Sequence, residues 1–151
     1  MEGNYMSKEY VIYKRDQGII NCNNIESKAP PDIFDILSAF YYARGFDINK
    51  IPLNVEIDFN TFFEKDLFKV GITYEGKTVV TTNLGTFNCL IFRPSLVQGR
   101  VFKGQKDMIL YISDDKNHIP IRVETAIFIG FVKADLIKFE KLKYPLSSRI
   151  R

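Results

Sequence analysis

Only one stretch of this chain repeats its apolar residues at helical spacing, and that restricts the fold more than any other feature. In DIFDILSAFYYARG, Asp32 to Gly45, Ile33, Ile36, Leu37 and Phe40 fall at i, i+3, i+4 and i+7, one apolar stripe. The spacing predicts a helix over about 32–44. Asp32 follows Pro30 and Pro31 and can cap that helix, Asp35 stands in its positive first turn, and Gly45 offers a left-handed stop after Arg44.

Around this stretch the sequence alternates as strands do. KEYVIYKR and IINCNNI flank Asp16-Gln17-Gly18 as a hairpin. VEIDF sets Val55, Ile57 and Phe59 against Glu56 and Asp58. Tyr74-Glu75-Gly76-Lys77 reads as a hairpin turn within FKVGITYEGKTVVTT, and LGTFNCLIFRP is a further strand closed by Pro94. DMILYIS, a polar turn at Asp114 to Asn117, and a strand carrying Ile121, Val123, Ile127, Ile129 and Phe131 on one parity follow. From Ala126 to Val132 both parities are apolar, which predicts a central or covered segment, with Gly130 at a bend.

The expected fold is therefore all-β with one helix. A single antiparallel sheet of about seven to nine strands curls toward a partly open barrel, and the helix plugs its concave face. With 151 residues the chain forms one domain, long enough to bury a core without staples. Its 13 Phe and 8 Tyr suit half-buried pleated surfaces. Cys22 and Cys89 read as small apolar strand residues, with their pairing left open.

Several function classes fall away. The net charge of +3 is mild and the basic residues are scattered, so no nucleic-acid partner is indicated. No run approaches the roughly 20 apolar residues of a membrane span. The opening MEGNYMSKEYVIYKR has no apolar core of an export signal. Ser113, Asp114 and the single histidine, His118, share one turn, whereas triads converge from separate elements. One His with two distant Cys gives no zinc set, and Asp114, Asp115 and Asn117 lack the Gly and distal Glu of a calcium loop. The glycines of LVQGRVFKGQKD do not have phosphate-loop spacing. No cofactor, metal or catalytic residue is expected. Arg44, Arg93 and Arg122 remain as an anion-fixing set if the fold brings them to Tyr41 and Tyr42, whose rings suit sugar or lipid. Arg122 and Glu124 share a strand face as an ion pair.

DILSAFYYAR, TNLGTFNCLIFRP, GRVFKGQKDMILYISDDKNHIPIRVE and KADLIKF, in that order, resemble the exported proteins of domain of unknown function family 3108, over about Glu2 to Ser147. The resemblance implies an all-β protein with a strongly curved antiparallel sheet and no established activity. It also implies a place in the periplasm or at the outer membrane of Bacteroides-type bacteria. Family members begin with a signal or lipoprotein peptide and carry further strands upstream. The chain is accordingly expected to be the C-terminal part of a longer member, with an open edge strand that favours a dimer.

The leading expectation is a non-catalytic envelope module. It would bind a lipid, glycan or protein partner on the concave sheet beside the helix, through Tyr41, Tyr42, Arg44, Arg93, Arg122 and Glu124. The alternatives are a hydrolase-type enzyme using Asp114, Asp115, His118 or Glu124, and a structural piece of a larger assembly.

Overall fold

Two sheets and one helix make up the computed structural model, which describes residues 10–63, 65–95, 108–126 and 130–150. The LVQGRVFKGQKD loop, Ile127 and Ile129 lie outside those residues. Strands β1 (Val11–Lys14), β2 (Ile19–Cys22) and β3 (Ile25–Lys28) form a small antiparallel sheet. The larger sheet holds β4 (Ile33–Phe34), β5 (Glu56–Phe63), β6 (Asp66–Thr82), β7 (Gly85–Ser95), β8 (Met108–Ser113), β9 (Pro120–Ala126) and β10 (Phe131–Asp135). Its order runs β10-β9-β8-β7-β6-β5-β4, an open sheet rather than a closed barrel. Every pairing in it is antiparallel except β4 with β5. The expected β-rich fold with a single helix is thus present, in two sheets where one was expected.

The small sheet arises from two turns. Arg15–Gln17 makes one 3-10 turn that Gly18 closes in the left-handed region, as the Asp16-Gln17-Gly18 signal requires. Asn23 and Asn24 then both take positive φ, 50° and 68°, the geometry of a two-residue hairpin, and this adds β3. That third strand is exposed throughout, so no apolar alternation advertises it.

Helix α1 spans Ile36–Ala43, shorter than the expected 32–44. Asp35, not Asp32, is its cap, accepting from Ser38 N at 2.9 Å and Ser38 Oγ at 2.5 Å. Tertiary contacts decide between the two aspartates. Ile33 is buried with Ile20, Cys22 and Phe62 beneath the small sheet, and Ile33 and Phe34 pair with Asn60 and Thr61 of β5. Asp32 accepts from Asn60 Nδ2 instead. The buried face of α1 also differs from the expected stripe. Ala39 is buried against Phe59 and Ile72, while Leu37 is 71% exposed. Gly45 does not take the left-handed stop. The helix unwinds through Gly45 N to Tyr42 O and Phe46 N to Ala43 O.

Tyr74-Glu75-Gly76-Lys77 is not a turn. It lies within the 17-residue β6, where the pairing with β7 shifts between Tyr74 and Gly76. The extra residue is a β-bulge, and Gly76 adopts φ 112°, a value that a side chain resists. The bulge inverts parity: Val70, Ile72 and Tyr74 are buried before it, Val80 after it. Ile72 packs below α1, whereas Val80 joins Phe87, Cys89, Ile119 and Ile121 in a separate core. Gly76→Ala should therefore lower stability by about 1–3 kcal/mol, read as a lower urea midpoint at unchanged slope.

The actual reversal after β6 is the short link at Asn83 and Leu84. Ala126 and Phe131, expected within one central segment, instead face each other across the antiparallel pair β9–β10 at the sheet edge. Gly130 takes φ 94° there and Phe131, on the edge strand β10, is 72% exposed.

Beyond β10 the chain has little regular structure, yet it covers the second core with Leu136, Phe139, Leu142 and Leu146. It is tied down by Asn88 N to Ser148 O at 2.8 Å and Ile150 N to Thr86 O at 2.9 Å. Cys22 and Cys89 lie in different cores and are not bonded to each other. Burial pushes the Cys89 thiol up to about 11, so it stays protonated and packs as an apolar group. Among the described residues no helix is long and apolar enough to cross a membrane.

Candidate functional site

Helix α1 covers only part of its sheet face. It rests on β5 and β6 through Ala39, Phe59 and Ile72. Between its C-terminal half, the loop that follows and strands β6 to β9 a pocket of about 340 Å³ remains. That volume falls at the lower end of small-molecule sites, roughly 300–1,000 Å³.

Strand alternation supplies the pocket floor: Ile72 and Tyr74 from β6, Leu90 and Phe92 from β7, Leu110 and Ile112 from β8. Phe40 and Ala43 of α1, with Phe46, Ile48 and Ile51 beyond it, supply the roof. The loop holds its shape through a single 3-10 turn, Ile48–Lys50, capped by the Asp47 side chain. Among the described residues the wall contains no Asp, Glu or Lys. Its polar members are Tyr41, Tyr74, Arg44 and His118.

Arg44 and His118 clamp one end. Arg44 Nε donates to His118 O and Nη2 to Asn117 O, both at 2.9 Å. In return His118 Nδ1 lies 2.7 Å from Arg44 O. A carbonyl only accepts, so Nδ1 carries the proton, and in the neutral ring Nε2 is left as an acceptor. His118 takes φ 44° at the end of the β8–β9 turn, and two successive carbonyls there serve one guanidinium. The Arg44 cation also lies 5.2 Å from the Tyr41 ring centre.

Of the six candidate binding residues, Tyr41 and Arg44 line this pocket. Tyr42 belongs to an aromatic group beside it, 5.1 Å from Phe34 and 5.4 Å from Phe46 between ring centres. Arg93, Arg122 and Glu124 are not part of the wall. They alternate with Phe92 and Val123, which are, and so take the opposite face of the sheet.

On that opposite face Arg93 donates twice to Glu75, at 2.7 and 3.1 Å, and this pairing raises its pKa. Arg122 forks onto Asp135 at 2.5 and 2.8 Å and donates to Thr81 O. The same hydrogen bonds hold the Asp135 carboxyl below its ordinary range. Glu124 meets Lys133 at 3.2 Å and the Tyr111 hydroxyl at 3.3 Å. Its expected ion pair with Arg122 is present at 3.8 Å.

The residues of the hydrolase alternative each have a separate partner. Asp114 binds Lys77 at 2.7 Å, and Asp115 accepts from Ser113, Asn117 and Ser148. His118 faces the Arg44 carbonyl and Glu124 lies on the other face. Sequence reasoning pointed to the sheet beside the helix but did not supply the residues of the pocket floor or the His118 partnership. Arg44 and His118 stand 74 positions apart, and no local pattern links them. The usable signal was the apolar parity of β6, β7 and β8, which marks a floor without showing that a gap lies above it.

No curated protein and no solved structure matches the chain. A family model described as "Protein of unknown function (DUF3108)" matches residues 2–137, and the chain belongs to that family.

Proposed function

We propose that this protein is a non-catalytic binding module that holds a single apolar chain, of the kind found in lipids, in the pocket under α1. The observation that carries the reading is a pocket of about 340 Å³ whose floor and roof are aliphatic and aromatic. A glycan would ask for a ring of paired donors and acceptors, and this wall offers four polar side chains, two of which are bound to each other's main-chain carbonyls. The setting we propose is the cell envelope, as the family resemblance implies, where an apolar chain crossing water needs a carrier.

Neutral straight-chain alcohols test the chain alone. Measured by calorimetry, affinity should rise about fourfold for each added methylene, ~0.8 kcal/mol, until the pocket is full. Leu110→Trp, which sets a larger ring into the floor, should abolish that binding. The natural chain has no Trp, so the new indole also reports on its own pocket. Affinity that stays flat with chain length, or that survives Leu110→Trp, sinks the proposal.

A further inference from the structure

We infer that the ligand's head carries a pair of anionic oxygens, carboxylate or phosphate, which the Nη1/Nη2 edge of Arg44 fixes at one end of the pocket. This rests on the pocket being a chain-binding site. Arg44 is a cation whose described partners are all neutral: two main-chain carbonyls and the Tyr41 ring. Among the described residues no carboxylate comes within ion-pair reach of it, in contrast to Arg93 and Arg122.

Its bonds use Nε and one hydrogen of Nη2. Three N–H groups therefore remain with no acceptor among the described residues, two of them parallel on the Nη1/Nη2 edge. That edge has the spacing of a carboxylate or of two phosphate oxygens, which it can meet with parallel hydrogen bonds. The clamp through His118 and Asn117 holds the guanidinium before any ligand arrives, so little side-chain freedom is lost on binding. No acidic side chain among the described residues lines the pocket to oppose an anion.

The test compares decanoate, decyl phosphate, decanol and inorganic phosphate on the full chain by calorimetry, below the micelle concentrations. At least one anionic amphiphile should bind about tenfold or more tightly than decanol. Whichever anion binds more tightly identifies the head as carboxylate or phosphate. Inorganic phosphate, which has no chain, should bind far more weakly than decyl phosphate. Arg44→Gln should erase the preference for anions, so that decanoate, decyl phosphate and decanol bind alike. Arg44→Lys, which keeps the charge and loses the fork, should retain only part of it.

Equal binding of decanol and both anions by the natural protein would overturn this inference and leave the chain-binding proposal standing. So would an anion preference unchanged in a folded Arg44→Gln. Binding of none of the chain-bearing probes would overturn both. The natural protein by itself decides whether the head is read, so the comparison of probes stands even where a variant fails to fold.

Discussion

Phe87→Ala is expected to remove about 3–5 kcal/mol of stability. Phe87 is 0% exposed and stands at the centre of the core formed by Val80, Cys89, Ile119 and Ile121. Truncating its ring loses the transfer free energy of the buried atoms and leaves a cavity that β7, paired on both sides, cannot close. The same strand position bridges Arg149, so the loss also loosens the segment that covers this core.

Two measurements check it. Urea unfolding should show the drop, and trypsin should cut first at Lys138, Lys141 or Lys143, all exposed in that covering segment. Alcohol binding under α1 should survive wherever the variant is still folded, since Phe87 is not part of the pocket wall. A loss below about 1 kcal/mol, outside the range for buried aromatic truncation, would mean that the second core contributes little.

The second large effect belongs to Asp115. Its Oδ2 accepts from Ser148 Oγ at 2.7 Å and Ser148 N at 3.2 Å, and its Oδ1 accepts from Ser113 Oγ at 3.1 Å and Asn117 N at 2.9 Å. One carboxylate thereby joins the β8–β9 turn to the chain's last residues. Ser113 and Ser148 are almost fully buried, so Asp115→Ala takes the acceptor from two hydroxyl protons that lie away from water, although Ser113 Oγ still accepts from Ile119 N. The expected cost is about 3 kcal/mol.

Asp115 also predicts an acid response. Burial raises its pKa, but the hydrogen bonds from Ser148, Asn117 and Ser113 outweigh that and hold it below its ordinary 3.8. A carboxyl depressed on folding stabilises fully above its unfolded value, and that contribution drains away as pH falls through the lower folded value. Stability should therefore decline below about pH 4. Asp115→Asn, which cannot ionise, should flatten part of that decline, leaving the share of Asp35 and Asp135, whose pKa values are also lowered. An acid limb identical in Asp115→Asn and the natural protein would refute this assignment.

How far the sequence could be read depended on whether local chemistry or distant packing decided each element. Val55, Ile57 and Phe59 alternate without competition, and they lie in or beside β5 with Phe59 buried, as the pattern requires. The start of α1 was not legible because two aspartates three residues apart were both competent caps. The choice fell to Ile33, which is buried against residues of the small sheet. Asn23-Asn24 did carry a hairpin signal, but β3 has no buried face to confirm it. Apolar residues on both parities from Ala126 onward mimicked a central strand because Phe131 and Val132 are exposed apolar residues on an edge.

The candidate site divided in the same way. Tyr41 and Arg44 were legible as one helix turn, three residues apart. The floor, and the carbonyls of Asn117 and His118 that hold Arg44, come from strands and a turn that only the folded chain brings near.

The bulge in β6 gives the protein a division of labour within one strand. Residues before it, Ile72 and Tyr74, shape the pocket, while Val80 beyond it belongs to the core that the chain's end covers. Substitutions in the first half can retune what the pocket accepts without reaching that core. Substitutions in the second half can harden the scaffold without narrowing the pocket. A strand with unbroken alternation would carry both duties on one set of positions, and each change in recognition would then also be a change in stability.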